Sequence, residues 1–171
     1  IERLCGLADL KWRLAPEDGD GLELFTLADE VPESPRPWEV LGAMAAQRER
    51  DRCKAEGYWE RAVERGSRDP YVYVQLAREK LRTGANCQSL DYRAPAAVAD
   101  PIRALLDQAL SLDSDEPEAW EALAQLEAAS DRPRPEVLAE VSGHLPGLAA
   151  PSGVLTALAV YEWRNGNMEA S

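Results

Sequence analysis

The chain has 171 residues, a size that suits one domain, and 45% of them are hydrophobic, enough for a sizeable core. Ala, Leu, Glu and Arg dominate and aromatics are only 6%, so a β-rich fold is disfavoured and an all-α protein is expected. The formal net charge of -12 repels phosphate backbones, which argues against nucleic acid as a partner and leaves solubility or attraction of basic partners as its consequence.

Three cysteines, Cys5, Cys53 and Cys87, are too few and too scattered for a disulfide framework, although one pair among them stays open. No CxxC pair or Cys/His cluster points to zinc. No apolar run approaches the roughly 18 residues of a membrane span, so no membrane insertion is expected. The chain starts at Ile1 without a signal-like segment, which reads as a start inside a longer protein and leaves its compartment open.

Taken in order, prolines and glycines cut the chain into short helices. Residues 2–15 carry Leu4, Leu7, Ala8, Leu10, Lys11 and Leu14 at helical spacing. A loop at 16–21 precedes a short helix over 22–30, and VPESPRP at 31–37 breaks it. A third helix is predicted from Trp38 to Glu49. Its companion runs from Cys53 to Arg65, with Gly66 as C-cap. Asp69-Pro70 opens a helix through Leu81, with Asp69 as N-cap. Residues 84–97 read as a long irregular connection, and Asp100-Pro101 as the start of the next helix, to Leu112. Asp113, Asp115 and Glu116 fall at a junction where capping accounts for them. Helices then follow to Ala129, over 136–144, and over 152–164 with a stop at Asn165-Gly166-Asn167. That is about nine helices, none long enough to be stable alone.

The helix starts share a landmark. Trp38, Tyr73 and Trp120 each stand three residues after a proline, and Val154 does the same after Pro151. The landmarks lie 35, 47 and 34 residues apart, and the long interval contains the irregular stretch after Gly84. Trp38, Leu41 and Gly42 match a W-x2-L-G opening, with Ala45 at its later tyrosine position. Ala55, Trp59 and Ala62 fit the second helix if one residue is inserted. Tyr73, Leu76 and Ala77 fit the next opening, Ile102, Leu106 and Ala109 its partner, and Trp120, Leu123 and Ala124 the third. Tyr161, Gly166 and Ala170 fit a last unit, and Phe25 and Ala28 a degenerate first one. Small residues such as Gly42, Ala77 and Ala124 let a paired helix approach, and Trp59 or Leu106 fills the gap one turn away.

In period and motif this chain resembles the tetratricopeptide repeat family. The resemblance implies a single domain, an all-α right-handed solenoid of antiparallel hairpins. Its units would be a degenerate repeat at 1–34, repeats at 35–69, 70–116 and 117–150, and a partial repeat at 151–171. It also implies an interaction module that receives a protein, a peptide or a partner helix on the solvent-facing side of the first helices, with no cofactor. Those positions are Arg36, Glu39, Ala43 and Gln47; Tyr71, Val74, Arg78 and Arg82; Glu118, Glu121, Gln125 and Ala129; and Leu155, Ala159, Glu162 and Trp163.

Arg78 and Arg82, four apart, are candidates for a clamp on a partner carboxylate. The carboxylate-holding Lys and Asn of some family members have Glu39 and Ala43 in their place here. The inserted stretch offers Cys87, Leu90, Tyr92 and Arg93 as a rim contact. His144 beside a Leu-Pro-Gly stop has no nucleophile motif near it and reads as a surface residue or a helix C-terminal cation. No GxSxG, HExxH, phosphate loop or dinucleotide fingerprint occurs, so no enzyme is expected in this chain. The diverged, Ala/Arg/Pro-rich repeats are also similar to arrays that follow a zinc-peptidase-like domain in some bacterial proteins. That alternative makes the chain the non-catalytic C-terminal region of a larger enzyme. Self-assembly into a homo-oligomer through the open repeat ends is a third reading.

Overall fold

The structure, a computed structural model, describes residues 26, 28, 30–47, 52–84, 94–144 and 152–166. Among them the chain is all-helical, with seven named helices and no strand. These are α1 (Arg36–Ala46), α2 (Arg52–Glu64), α3 (Pro70–Gly84), α4 (Ala96–Leu112), α5 (Pro117–Ala129), α6 (Pro135–His144) and α7 (Ser152–Arg164). The expected helix at 2–15 and the rim residues Cys87, Leu90, Tyr92 and Arg93 lie outside the described residues. Of the expected 22–30 helix, residues 26, 28 and 30 are described and helical. No described helix is long and apolar enough to cross a membrane. The chain divides into two compact units, Ile1–Val72 and Tyr73–Ser171, with the division inside α3.

In the first unit α1 packs against α2. Helix α1 starts two residues before the predicted Trp38, because Pro35 and Pro37 occupy first-turn positions whose N–H groups need no helical partner. It ends at Ala46 rather than Glu49, with Gln47 already in a turn. The α1–α2 contact turns on Gly42. A Cβ there would overlap the indole of fully buried Trp59, reaching 2.8 Å from its Cε2. The indole N–H of Trp59 is buried with no hydrogen-bond acceptor among the described residues. Trp38 lies under two guanidinium groups, Arg61 at 4.7 Å and Arg65 at 5.2 Å from the ring centroid, and tilts against Tyr58.

Helix α2 ends in a Schellman turn. Gly66 has φ +72°, its N–H donates to Val63 O, and the Ser67 N–H donates to Ala62 O. Asp69 then accepts the Tyr71 N–H at 3.0 Å, the N-cap expected for α3.

In the second unit α5 is central and packs against α4, α6 and α7. Eight of its thirteen residues are buried, among them Trp120, Leu123, Ala124, Leu126 and Glu127. The Glu116 carboxylate caps it by accepting the Glu118 N–H, and Asp113 accepts the Asp115 N–H, the capping roles expected at this junction. Helix α4 corrects the expected start at Asp100-Pro101. It begins at Ala96, after extended Pro95, and Pro101 sits inside it. The proline removes one backbone donor, whose carbonyl partner would be on exposed Ala97, where solvent can replace it. The irregular connection therefore closes earlier than 97. Ala94 pairs like a strand residue with Ser130, accepting the Asp131 N–H and donating to Ala129 O.

Candidate functional site

The candidate residues are side chains that α1 leaves toward solvent in the first unit and, separately, those that α3, α5 and α7 leave toward solvent in the second. Two expected members are not there. Glu39 is only 8% exposed, and its carboxylate accepts the Ser67 hydroxyl at 2.6 Å and an Arg36 N–H at 3.0 Å. The Schellman turn brings Ser67 back to α1, so Glu39 ties the two ends of the α1–α2 hairpin together. Val74 is 0% exposed and belongs to the core. Arg36 stays half-exposed, paired with Glu39 and, at 4.0 Å, with Asp69. Tyr71 is 42% exposed.

Arg78 and Arg82 do not form one clamp. Arg78 reaches across from α3 to α5, donating to Glu118 at 2.7 Å and to Glu121 at 3.2 Å. Gln75 joins it on Glu118 at 2.9 Å. Arg82 turns back one helical turn to Glu79 at 2.6 Å. Glu121 also accepts from Gln125 at 3.3 Å, and a Cβ on Gly153 would run into the Glu121 carboxylate. Thus α3 meets α5 through an ionic row, and α5 meets α7 where Gly153 leaves room. Reversing the charge with Arg78→Glu would set three carboxylates together. These groups are partly exposed, so a loss of only about 1 kcal/mol is expected, seen as a lower urea midpoint with unchanged helicity.

Between α5 and α7 lies an open notch of about 380 Å³, lined by Gln125, Ala128, Ala129, Ser152, Gly153, Thr156, Ala157, Val160 and Arg164. Its lining is small because α5 and α7 approach closely. Arg164 closes one end by donating to the Ala128 carbonyl, one of the last of α5. Beyond the notch α7 exposes Leu155 at 52% and Trp163 at 55%, with exposed Ala159 between them. Glu162 is half-buried beside this stripe.

Two polar arrangements escaped the sequence reading. Buried Arg103 on α4 donates to buried Glu127 on α5 through Nε at 2.7 Å and Nη2 at 3.0 Å. It also bonds Asp100, the Ser130 hydroxyl and the Arg132 carbonyl. The hydrogen bond to Glu127 first, against the cost of burial, holds the Arg103 pKa above its ordinary value. Arg134 adds its backbone N–H at 2.8 Å and its Nε at 3.1 Å to Glu127. His144 is not a plain surface residue. It stacks on Trp120 with ring centroids 4.1 Å apart, and the Trp120 indole donates to Ser114 O.

Among the described residues no group of three or more His, Cys, Asp or Glu side chains could hold a metal ion. No family model, curated protein or solved structure matches the chain.

Proposed function

We propose that the chain is a tetratricopeptide-type array, a right-handed solenoid of about nine helices in antiparallel hairpins, that binds another protein or a peptide and does no catalysis itself. The row made by α3, α5 and α7 carries this reading. Helices α3, α5 and α7, read here as first helices of consecutive repeat units, are linked by Arg78 to Glu118 and Glu121 and by Glu121 against Gly153. That neighbour relation is what stacked hairpins require, because each unit buries its apolar face on the next. The intimate contact of Gly42 with Trp59 supports the same residue logic in the first unit.

The docking face is read as the outward side of those helices within the second unit, with Arg82, Gln125, Thr156 and Trp163 as contacts. Exposed Trp163 and a notch sized for one apolar side chain suit anchor residues of a partner. Arg78 is left out, since its donors serve Glu118 and Glu121.

Site-specific photo-crosslinking tests this. A photoreactive phenylalanine at Arg82 or at Thr156 is expected to form a protein adduct in native cell extract. The same group at exposed Asp107 of α4 or Glu140 of α6 is expected to form none. Equal adducts at all four positions, or adducts from α4 and α6 alone, would contradict the reading.

A further inference from the structure

We infer that the notch between α5 and α7 takes a lysine side chain of the partner, its apolar stem along the small residues of the walls and its ammonium at Gln125 and Thr156. This names the anchor that the docking face receives, and so rests on the proposed function. The hydrogen bonds already made inside the chain select the ligand. Gln125 on α5 donates its amide nitrogen to Glu121, one turn back on the same helix, at 3.3 Å. An ionised carboxylate only accepts, so this contact fixes the amide with its nitrogen toward Glu121 and leaves the carbonyl oxygen as its acceptor for a ligand. Thr156 on α7 gives its hydroxyl hydrogen to the Ser152 carbonyl at 2.8 Å, so its oxygen too can only accept. Facing walls of the notch therefore each carry an acceptor whose own hydrogen is spent.

The rest of the lining agrees. Ala129, Gly153, Ala157 and Val160 offer hydrocarbon or bare backbone. The Ser152 hydroxyl rotates to either role. Arg164, the one charged group of the lining, donates to the Ala128 carbonyl and stands about two turns along α7 from Thr156. Apolar walls with acceptors at one end match a side chain that has a hydrocarbon stem and a donor tip. Charge favours a cationic tip, because the chain carries -12 and the Glu121 carboxylate stands beside the Gln125 amide. Lysine fits better than arginine. A compact ammonium serves single oxygens on separate walls, whereas a planar guanidinium is matched to the paired oxygens of one carboxylate. A carboxylate or phosphate would meet oxygens with no hydrogen to give.

Titration of the isotope-labelled chain with Nα-acetyl-lysine methylamide, to about 50 mM and followed by backbone amide shifts, tests the inference. The norleucine counterpart is the control, having the same stem without the ammonium. The expected result is saturable shifts at Gln125, Gly153 and Thr156, with a Kd on the order of 10 mM for lysine and binding at least roughly fivefold weaker for norleucine. Gln125→Leu with Thr156→Val removes both acceptors at nearly constant shape. It is expected to abolish the preference for lysine with helicity unchanged. Norleucine binding as tightly as lysine, saturable shifts away from the notch, no saturable shift, or a lysine preference that survives the double substitution would overturn the inference. Crosslinks from Arg82 and Thr156 to another protein, with no lysine preference in the titration, would leave the proposed function standing and remove this inference alone. A lysine preference without crosslinks would remove the proposed function.

Discussion

Gly42→Ala is expected to destabilise the first unit by about 1–3 kcal/mol, although the same change in an ordinary helix interior stabilises by about 1 kcal/mol. Gly42 lies inside α1, and the added methyl would overlap three atoms of the Trp59 indole. Trp59 is fully buried, and in a close-packed interior moving its ring displaces its neighbours. The cost is overpacking, so it should grow with side-chain size, and Gly42→Leu should exceed Gly42→Ala. Gly57 supplies the control. It lies inside α2, and a Cβ there would meet nothing within 4 Å. Gly57→Ala should therefore stabilise by about 0.5–1 kcal/mol. Urea unfolding of both variants reads the opposite signs. A Gly42→Ala chain as stable as the parent would mean that α1 and α2 do not meet at Gly42.

Glu127→Ala is expected to cost about 3–5 kcal/mol, the largest single effect in the second unit. The change removes a carboxylate with no exposed surface and leaves buried Arg103 without its bidentate partner. It also releases Arg134, whose backbone and side chain both bond Glu127 and whose Nη2 is already buried without a partner. Because Arg103 further holds Ser130 and Arg132, the turn after α5 and the Ala94–Ser130 bridge should loosen together. Removing both charges with Arg103→Met and Glu127→Leu should cost clearly less than the two single changes added, with a coupling of about 1–3 kcal/mol. Additive losses would show that Arg103 and Glu127 act independently.

Much of this fold was legible because local signals and periodicity agreed. Asp69 capping α3, Gly66 closing α2, and the spans of α5, α6 and α7 followed from caps, prolines and glycines. Helix α4 was misread at its start because an Asp-Pro pair commonly opens a helix, while here Pro95 does so and Pro101 is tolerated one turn after exposed Ala97. For the site, spacing placed residues on helices correctly but could not tell which charges were already used. Arg78 and Arg82 share a face, yet one crosses to α5 and the other folds back to Glu79. Glu39 left the solvent-facing set because Ser67, 28 residues later, returns to meet it. The Arg103–Glu127 pair did leave a trace. Arg103 stands in the apolar stripe Ala99, Ile102, Leu106, and Glu127 in the stripe Trp120, Leu123, Ala124. Two opposite charges in core stripes of neighbouring helices call for each other.

The most direct test of the docking face is hydrogen exchange on the chain with and without the partner that the Arg82 and Thr156 crosslinks identify. The outward turns of α3, α5 and α7 are predicted to gain protection, while α4 and α6 exchange as before. Protection confined to α4 and α6, with α5 and α7 unchanged, would contradict it.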